Sequence, residues 1–308
     1  MTKLVVLDSL FASLELEQEV ADRRSATLER WDGDPRSLAD ADVVAHVRTR
    51  VDAELIAAMQ RCRVITRFGT GLDTVDVAAA AAAGIDVLTV RDYCVPELPT
   101  HTLALAFALE RRLAEISAQP RASWDEVIAT HPVSRRSQAT VVGLGSVGRR
   151  VAAALQALGY TVFAVTRHAG DEARAAGYRV VPLEEGLAEG DLVFLHTALD
   201  DITRNLIDER RLRRMRKGAI LVNTARLALL DEAAIAAGLD EGLLGGLALD
   251  AKLEPDSPLL RFAGDPRLLV TPHVGWYSEQ SAAALRTTAI ASALDALEAR
   301  AKEEVPRR

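Results

Sequence analysis

Short runs of four or five apolar residues, rich in Val, Ile and Leu, alternate along the chain with longer segments whose apolar residues recur at helical spacing. These runs lack the every-second-residue polarity of a strand with one wet face. They therefore predict strands covered on both sides, as in a parallel sheet joined by crossover helices. In the first third, strands are predicted at 4–7, 27–30, 43–47, 64–67 and 86–90, with helices at 53–60 and 77–83; the second is an alanine run that Gly84 ends. A helical pattern at 98–113 precedes a turn-rich segment, 117–137, that contains Pro120 and Pro132 and predicts a loose surface connection. Further strands are predicted at 139–143, 161–166, 179–181, 192–196, 220–223, 247–250 and 268–271, and a last helix at 278–301 has the length to return to the first domain.

This rhythm makes the chain α/β, and 308 residues suggest two domains. The predicted division is a smaller, flavodoxin-like substrate domain at 1–97 plus 278–308, and a Rossmann dinucleotide-binding domain at 98–277, both doubly wound. A net charge of -7 excludes nucleic acid as a default partner, because neutralising phosphates needs a concentrated basic surface. No apolar run reaches the length of a membrane span, and the start lacks a long apolar signal core, so a cytoplasmic protein is expected. Cys62 and Cys94 fit reduced core thiols without metal-ligand company, and no metal site is predicted.

Gly143-Leu144-Gly145-Ser146-Val147-Gly148 follows a predicted strand and opens a helix that Gly159 ends. In that context the first glycine permits a tight turn, the second lets backbone approach a pyrophosphate, and the third lets helix and strand pack closely. The helix amides then face the anion. At the end of the next strand, Thr166-Arg167-His168 stands where an NAD site usually places an acid. A threonine donor and an arginine suit a 2′-phosphate, so NADP is the preferred cofactor and NAD the alternative. His196 and Thr197 end another strand on the cofactor side. His46 and His131 read as structural or exposed, and His101 lies in the helix between the domains.

Three further segments carry chemistry: Asn223-Thr224-Ala225-Arg226, then Asp250 leading to Glu254-Pro255, then Thr271-Pro272-His273-Val274-Gly275. Together with Arg67-Phe68-Gly69-Thr70-Gly71-Leu72-Asp73 and the glycine loop, they resemble the D-isomer-specific 2-hydroxyacid dehydrogenases over nearly the whole chain. Asp92-Tyr93-Cys94-Val95 and Trp276-Tyr277-Ser278-Glu279 are most similar to the branch related to the C-terminal-binding protein co-repressors. The resemblance implies hydride transfer between NAD(P) and a small 2-oxo or 2-hydroxy acid of D configuration, by a homodimer. A dinucleotide-sensing, co-repressor-like binding protein is the alternative.

The resemblance also implies residue roles. Arg226 binds the substrate carboxylate and polarises the keto oxygen, His273 exchanges a proton with that oxygen, and Glu254 holds His273. Gly69, Thr70 and Gly71 present amides to the carboxylate, with Arg67 and Trp276 beside the substrate. Thr224, Ala225 and Asp250 line the cofactor, Asp250 at the nicotinamide carboxamide. Alkoxide character at the reacting oxygen calls for a proton donor near neutrality and a fixed cation, which histidine and arginine supply. The chain departs from the family in being one residue short between Asp250 and Glu254, and in carrying Leu227-Ala228 after Arg226 where glycine is usual.

Overall fold

The computed structural model describes residues 1–130, 137–168 and 170–303. His131 and Pro132 lie outside these. The chain forms two compact units, one of residues 1–93 with the chain from 278 onward, the other of residues 94–277. The junction falls slightly before position 98, because the Leu98 amide already bonds back to Cys94 O at 3.0 Å and ties the preceding turn to the helix it leads into.

In the first unit, β1 (Thr2–Val6), β2 (Ala26–Arg30), β3 (Val43–His46), β4 (Val64–Arg67) and β5 (Asp86–Thr89) form a sheet of order β2-β1-β3-β4-β5. All its pairings are parallel, and the order is that of flavodoxin-like folds. Leu4, Val43, Val44 and Ile65 are fully buried, which is what their uninterrupted apolar runs require. Crossover helices start at Asp52 and Asp76, whose carboxylates accept the amides of Leu55 and Ala79. The long helix Glu279–Glu303 covers this sheet, and the Thr66 hydroxyl donates to Ala289 O. It is tied to the helix Glu15–Arg23 by Arg286, whose Nε lies 2.7 Å from the buried Glu17 carboxylate.

The second unit carries β6 (Gln138–Val142), β7 (Thr161–Val165), β8 (Arg179–Val180), β9 (Leu192–Leu195), β10 (Ala219–Asn223), β11 (Leu244–Asp250) and β12 (Leu268–Thr271), in the order β12-β11-β10-β9-β6-β7-β8. Every pairing is parallel, so all carboxyl ends share one edge. The chain reverses direction of winding between β6 and β9, the switch point where such sheets bind ligands. The helix Ser146–Ala157 buries Gly148, Val151, Ala152 and Leu155, a single stripe at helical spacing.

The described part of the segment expected to be a loose connection, up to residue 130, contains helix. Arg112, with φ of +52°, ends the helix Glu97–Glu110 and starts a short helix, Leu113–Ser117. A further helix, Trp124–Thr130, follows. Its signal is a capping box: the Ser123 amide donates to Glu126 Oε2 at 2.7 Å while the Glu126 amide donates to Ser123 Oγ at 3.3 Å. Among the described residues, no helix is long and apolar enough to cross a membrane and no group of three or more metal-ligating side chains occurs.

Candidate active site

The glycine loop turns out of β6 with Gly143 at φ +95°. A side chain at Gly143 meets His196 O at 2.5 Å, and one at Gly148 meets Gly143 O at 2.0 Å. Neither position has room for a methyl group. Gly145 differs: its φ is ordinary, and no atom of the described residues lies within 4 Å of the place a Cβ would take. Among the described residues, no side chain caps the helix that Ser146 and Val147 begin. Open space above Gly145 and uncapped helix amides fit a pyrophosphate.

His196 and Thr197 follow β9 beside this loop. His196 Nε2 is shielded and has no hydrogen-bond partner among the described residues. Burial pushes the imidazole down to about 4, so it is neutral near pH 7. An orphaned ring nitrogen beside the loop is a second feature that fits a polar ligand there. After β7, Thr166 is partly buried while Arg167 and His168 are exposed. Arg167 Nη2 lies 3.4 Å from Asp200 Oδ2.

The ends of three adjacent strands hold the second cluster. After β10, Asn223 organises the turn from within: its Nδ2 donates to Arg226 O at 2.8 Å and its Oδ1 accepts the Ala225 amide at 3.0 Å. Thr224 Oγ1 lies 2.8 Å from the buried Thr102 hydroxyl of the helix Glu97–Glu110. Arg226 Nη1 donates to Ala225 O at 2.9 Å.

At the end of β11, the Asp250 carboxylate is buried and fully engaged. Its Oδ1 accepts the Thr271 hydroxyl at 2.7 Å and the Val274 amide at 2.8 Å; its Oδ2 accepts the Gly275 amide at 2.8 Å. The loop after β12 is therefore wrapped around one carboxylate. His273 sits at the apex with φ of +57°, a left-handed conformation that histidine tolerates better than most residues. Its Nδ1 lies 3.1 Å from Asp250 O, and a carbonyl only accepts, so Nδ1 carries the proton. Neutral His273 then presents an unprotonated Nε2, and its side chain is about half exposed at 52%. The Asp250 carboxylate, 3.9 Å from Nδ1, supplies a counter-charge when the ring is protonated. Trp276 Nε1 donates to His273 O at 3.1 Å, and its ring meets Tyr277 edge to face.

Glu254 makes no hydrogen bond or ion pair with His273 among the described residues. It is exposed, its backbone carbonyl closes a turn by accepting the Ser257 amide at 2.9 Å, and its carboxylate has no partner among the described residues. The short connection Ala251-Lys252-Leu253 ends in this turn, leaving the Asp250 backbone carbonyl as the partner of Nδ1.

In the first unit, the loop after β4 is shaped by Arg67, which donates to Val47 O at 3.2 Å and to Gly71 O at 2.7 Å. Gly69 has φ of +146°. The amides of Thr70 and Gly71 donate to no described residue. Arg67 thus braces its own loop as well as charging it. The Asn223 turn has a local signal, an asparagine side chain bonding backbone two and three residues on, whereas the Thr102–Thr224 contact and the engagement of His101 with Thr271 join residues whose spacing matches no local motif.

The family model for the D-isomer specific 2-hydroxyacid dehydrogenase NAD binding domain matches residues 103–275. The chain is similar to a putative 2-hydroxyacid dehydrogenase of Haemophilus influenzae, 34% identical over 258 residues, 80% of this chain and 81% of that protein. It is similar to a glycerate dehydrogenase of Methylorubrum extorquens, 33% identical over 254 residues and 79% of each chain. Among solved structures, D-lactate dehydrogenase from Aquifex aeolicus, complexed with NAD and lactic acid, shares the fold at a TM-score of 0.85 and 22% identity, covering 98% of this chain and 96% of that one.

Proposed function

The chain belongs to the D-isomer specific 2-hydroxyacid dehydrogenase family, and from that premise we propose how its residues divide the reaction. It is an NAD(P)-dependent oxidoreductase of D-2-hydroxy and 2-oxo acids. When bound, the nicotinamide supplies the hydride to the keto carbon or accepts it in reverse.

His273 is the proton-transfer residue. Its Nδ1–H is committed to Asp250 O, so Nε2 takes the hydroxyl proton in oxidation and returns it in reduction. The Asp250 carboxylate offsets the charge that appears on the ring. Arg226 is the cation that binds the substrate carboxylate and polarises the reacting oxygen, from the end of β10, which β11 separates from the strand that leads to His273. The open amides of Thr70 and Gly71, beside Gly69, are carboxylate donors. The single observation that carries this reading is the 3.1 Å contact of His273 Nδ1 with Asp250 O, since a proton committed there leaves Nε2 as the reactive nitrogen.

Gly143, Gly145, Ser146, Val147 and Gly148 receive the pyrophosphate, Thr166 and Arg167 favour NADP, and His196, Thr197, Thr224 and Ala225 line the dinucleotide. Asp250 acts mainly by holding the 271–275 loop, with both carboxylate oxygens already engaged. A cytoplasmic homodimer accords with two buried cysteine thiols outside any disulfide among the described residues and with Leu113, Trp124 and Ile128, large apolar residues exposed on the helices after Glu97–Glu110. The test is oxidation of NADPH and NADH over glyoxylate, pyruvate, hydroxypyruvate and longer and aromatic 2-oxo acids, beside a His273→Asn variant. Turnover by the native chain that this variant loses supports the reading; undiminished turnover by the variant overturns it.

A further inference from the structure

The proton-transfer loop is held by a chain of hydrogen bonds that begins on a different element. His101 lies in the first turns of the helix Glu97–Glu110, and its Nε2 is 2.9 Å from Thr271 Oγ1. The Thr271 hydroxyl has one proton, and its acceptors are Asp250 Oδ1 at 2.7 Å and, more distantly, Leu249 O at 3.3 Å. It must therefore accept from His101, which fixes the proton on His101 Nε2. Asp250 passes the constraint onward through the amides of Val274 and Gly275 and through its own carbonyl, which receives His273 Nδ1.

Packing clamps the same loop. A Cβ on Gly275 meets His101 Cδ2 at 2.7 Å, Asp250 Oδ2 at 2.9 Å and Leu98 Cδ1 at 2.9 Å. The imidazole of His101 is thus pressed against the backbone two residues beyond His273. The constrained residue is also the one in the left-handed conformation, at φ +57°, so loss of the clamp releases the loop toward a commoner backbone.

We propose that His101 is a positioning residue for His273, acting through Thr271 and Asp250. It does not touch substrate; it orders the loop so that His273 Nε2 stays in one place. A proton transfer sensitive to sub-ångström geometry loses rate when its donor wanders, while binding of dinucleotide at the glycine loop is untouched. The inference rests on the reading of His273 given above.

His101→Leu keeps an apolar body of similar reach and removes the donor; His101→Gln restores an N–H near the position of Nε2. The expected result, with the 2-oxo acid turned over best, is a kcat lowered about ten-fold or more by His101→Leu at a cofactor KM changed less than about two-fold. His101→Gln should recover kcat to within about three-fold of the native value, a rescue that mere filling of space does not give. Thr271→Val should match His101→Leu, and the double variant should fall no further than the worse single. An unchanged kcat in His101→Leu, failure of His101→Gln to rescue, or multiplicative losses in the double variant each overturn the proposal. Nitrogen-15 spectra of the histidine rings give an answer independent of turnover: a neutral His101 with its proton on Nδ1 also overturns it. Undiminished turnover in His273→Asn strikes the proton-transfer reading instead, so the two failures are distinguishable.

Discussion

Arg167 Nη2 stands 3.4 Å from Asp200 Oδ2, so the cation expected to meet a 2′-phosphate already faces a carboxylate. Asp200 is itself held by the amides of Ile202 and Thr203, which lower its pKa together with the Thr203 hydroxyl, the largest cause. The pair is exposed, and such pairs are worth under about 1 kcal/mol, which a phosphate dianion readily outcompetes. Arg167→Ala should cut kcat/KM for NADPH about ten-fold or more and leave NADH within about two-fold. Asp200→Asn, which keeps the oxygen that caps its loop, should raise NADPH affinity. Steady-state kinetics with both cofactors checks this, and equal losses for the two in Arg167→Ala remove the arginine from the phosphate site.

Two glycines of one loop should behave oppositely. Gly148→Ala drives a methyl into Gly143 O and should impair folding of the second unit, seen as poor expression or a lowered Tm. Gly145→Ala meets no protein atom and has an ordinary φ, so its Tm should stay near native. If a dinucleotide backbone lies over Gly145, calorimetry should show its affinity reduced at least ten-fold all the same.

His273→Ala removes both the proton-transfer group and a residue suited to a left-handed φ. His273→Asn separates these, because asparagine also tolerates that region. Both should lower kcat by about 10²–10⁴-fold, while the alanine variant alone loses further stability. Cofactor titration by fluorescence should find binding close to native in each.

In the first unit, Glu17 is fully buried and its carboxylate receives Arg286 Nε at 2.7 Å, while Arg286 also donates to Ser13 O and lies over the Phe11 ring. Removing one partner strands a buried charge, so Glu17→Ala should cost about 3–5 kcal/mol. Urea denaturation of the double variant Glu17→Ala/Arg286→Met should show part of that loss restored, since neither charge then lacks a partner.

Two histidines predict how stability changes with pH. His46 is held down to about 4 by burial and, secondarily, by Arg67; His196 is held down to about 4 by burial. Unfolded histidine titrates near 6.5, so between about pH 6.5 and 4 the unfolded chain binds protons that the native one refuses. Their stabilising contribution is intact above pH 6.5 and declines as pH falls toward 4, by up to about 3 kcal/mol for each. His46→Asn, whose amide can still donate toward Thr49 O, should flatten the acid limb of a pH–Tm curve.

The sequence by itself determined which segments become strands and where the glycine loop begins. Runs such as Val64–Arg67 and Leu192–Leu195 are buried on both faces in the fold, and their composition permits little else. Gly143 and Gly148 are legible because a turn this tight admits only glycine at positions that face backbone. The helix Trp124–Thr130 also has a local signal, the capping box of Ser123 and Glu126, that a reading by prolines alone passes over.

Tertiary structure alone decided how the chemistry is held. Similarity of sequence order implies Glu254 as the partner of His273, while in the fold Nδ1 meets the Asp250 carbonyl, four residues earlier. Asp250, Thr271 and His101 converge from two strand ends and a helix start, and no local period links residues 21 and 170 positions apart. Local sequence fixes backbone preference and burial; which side chains meet across elements depends on how the strands are ordered in the sheet, and that is a property of the packed whole.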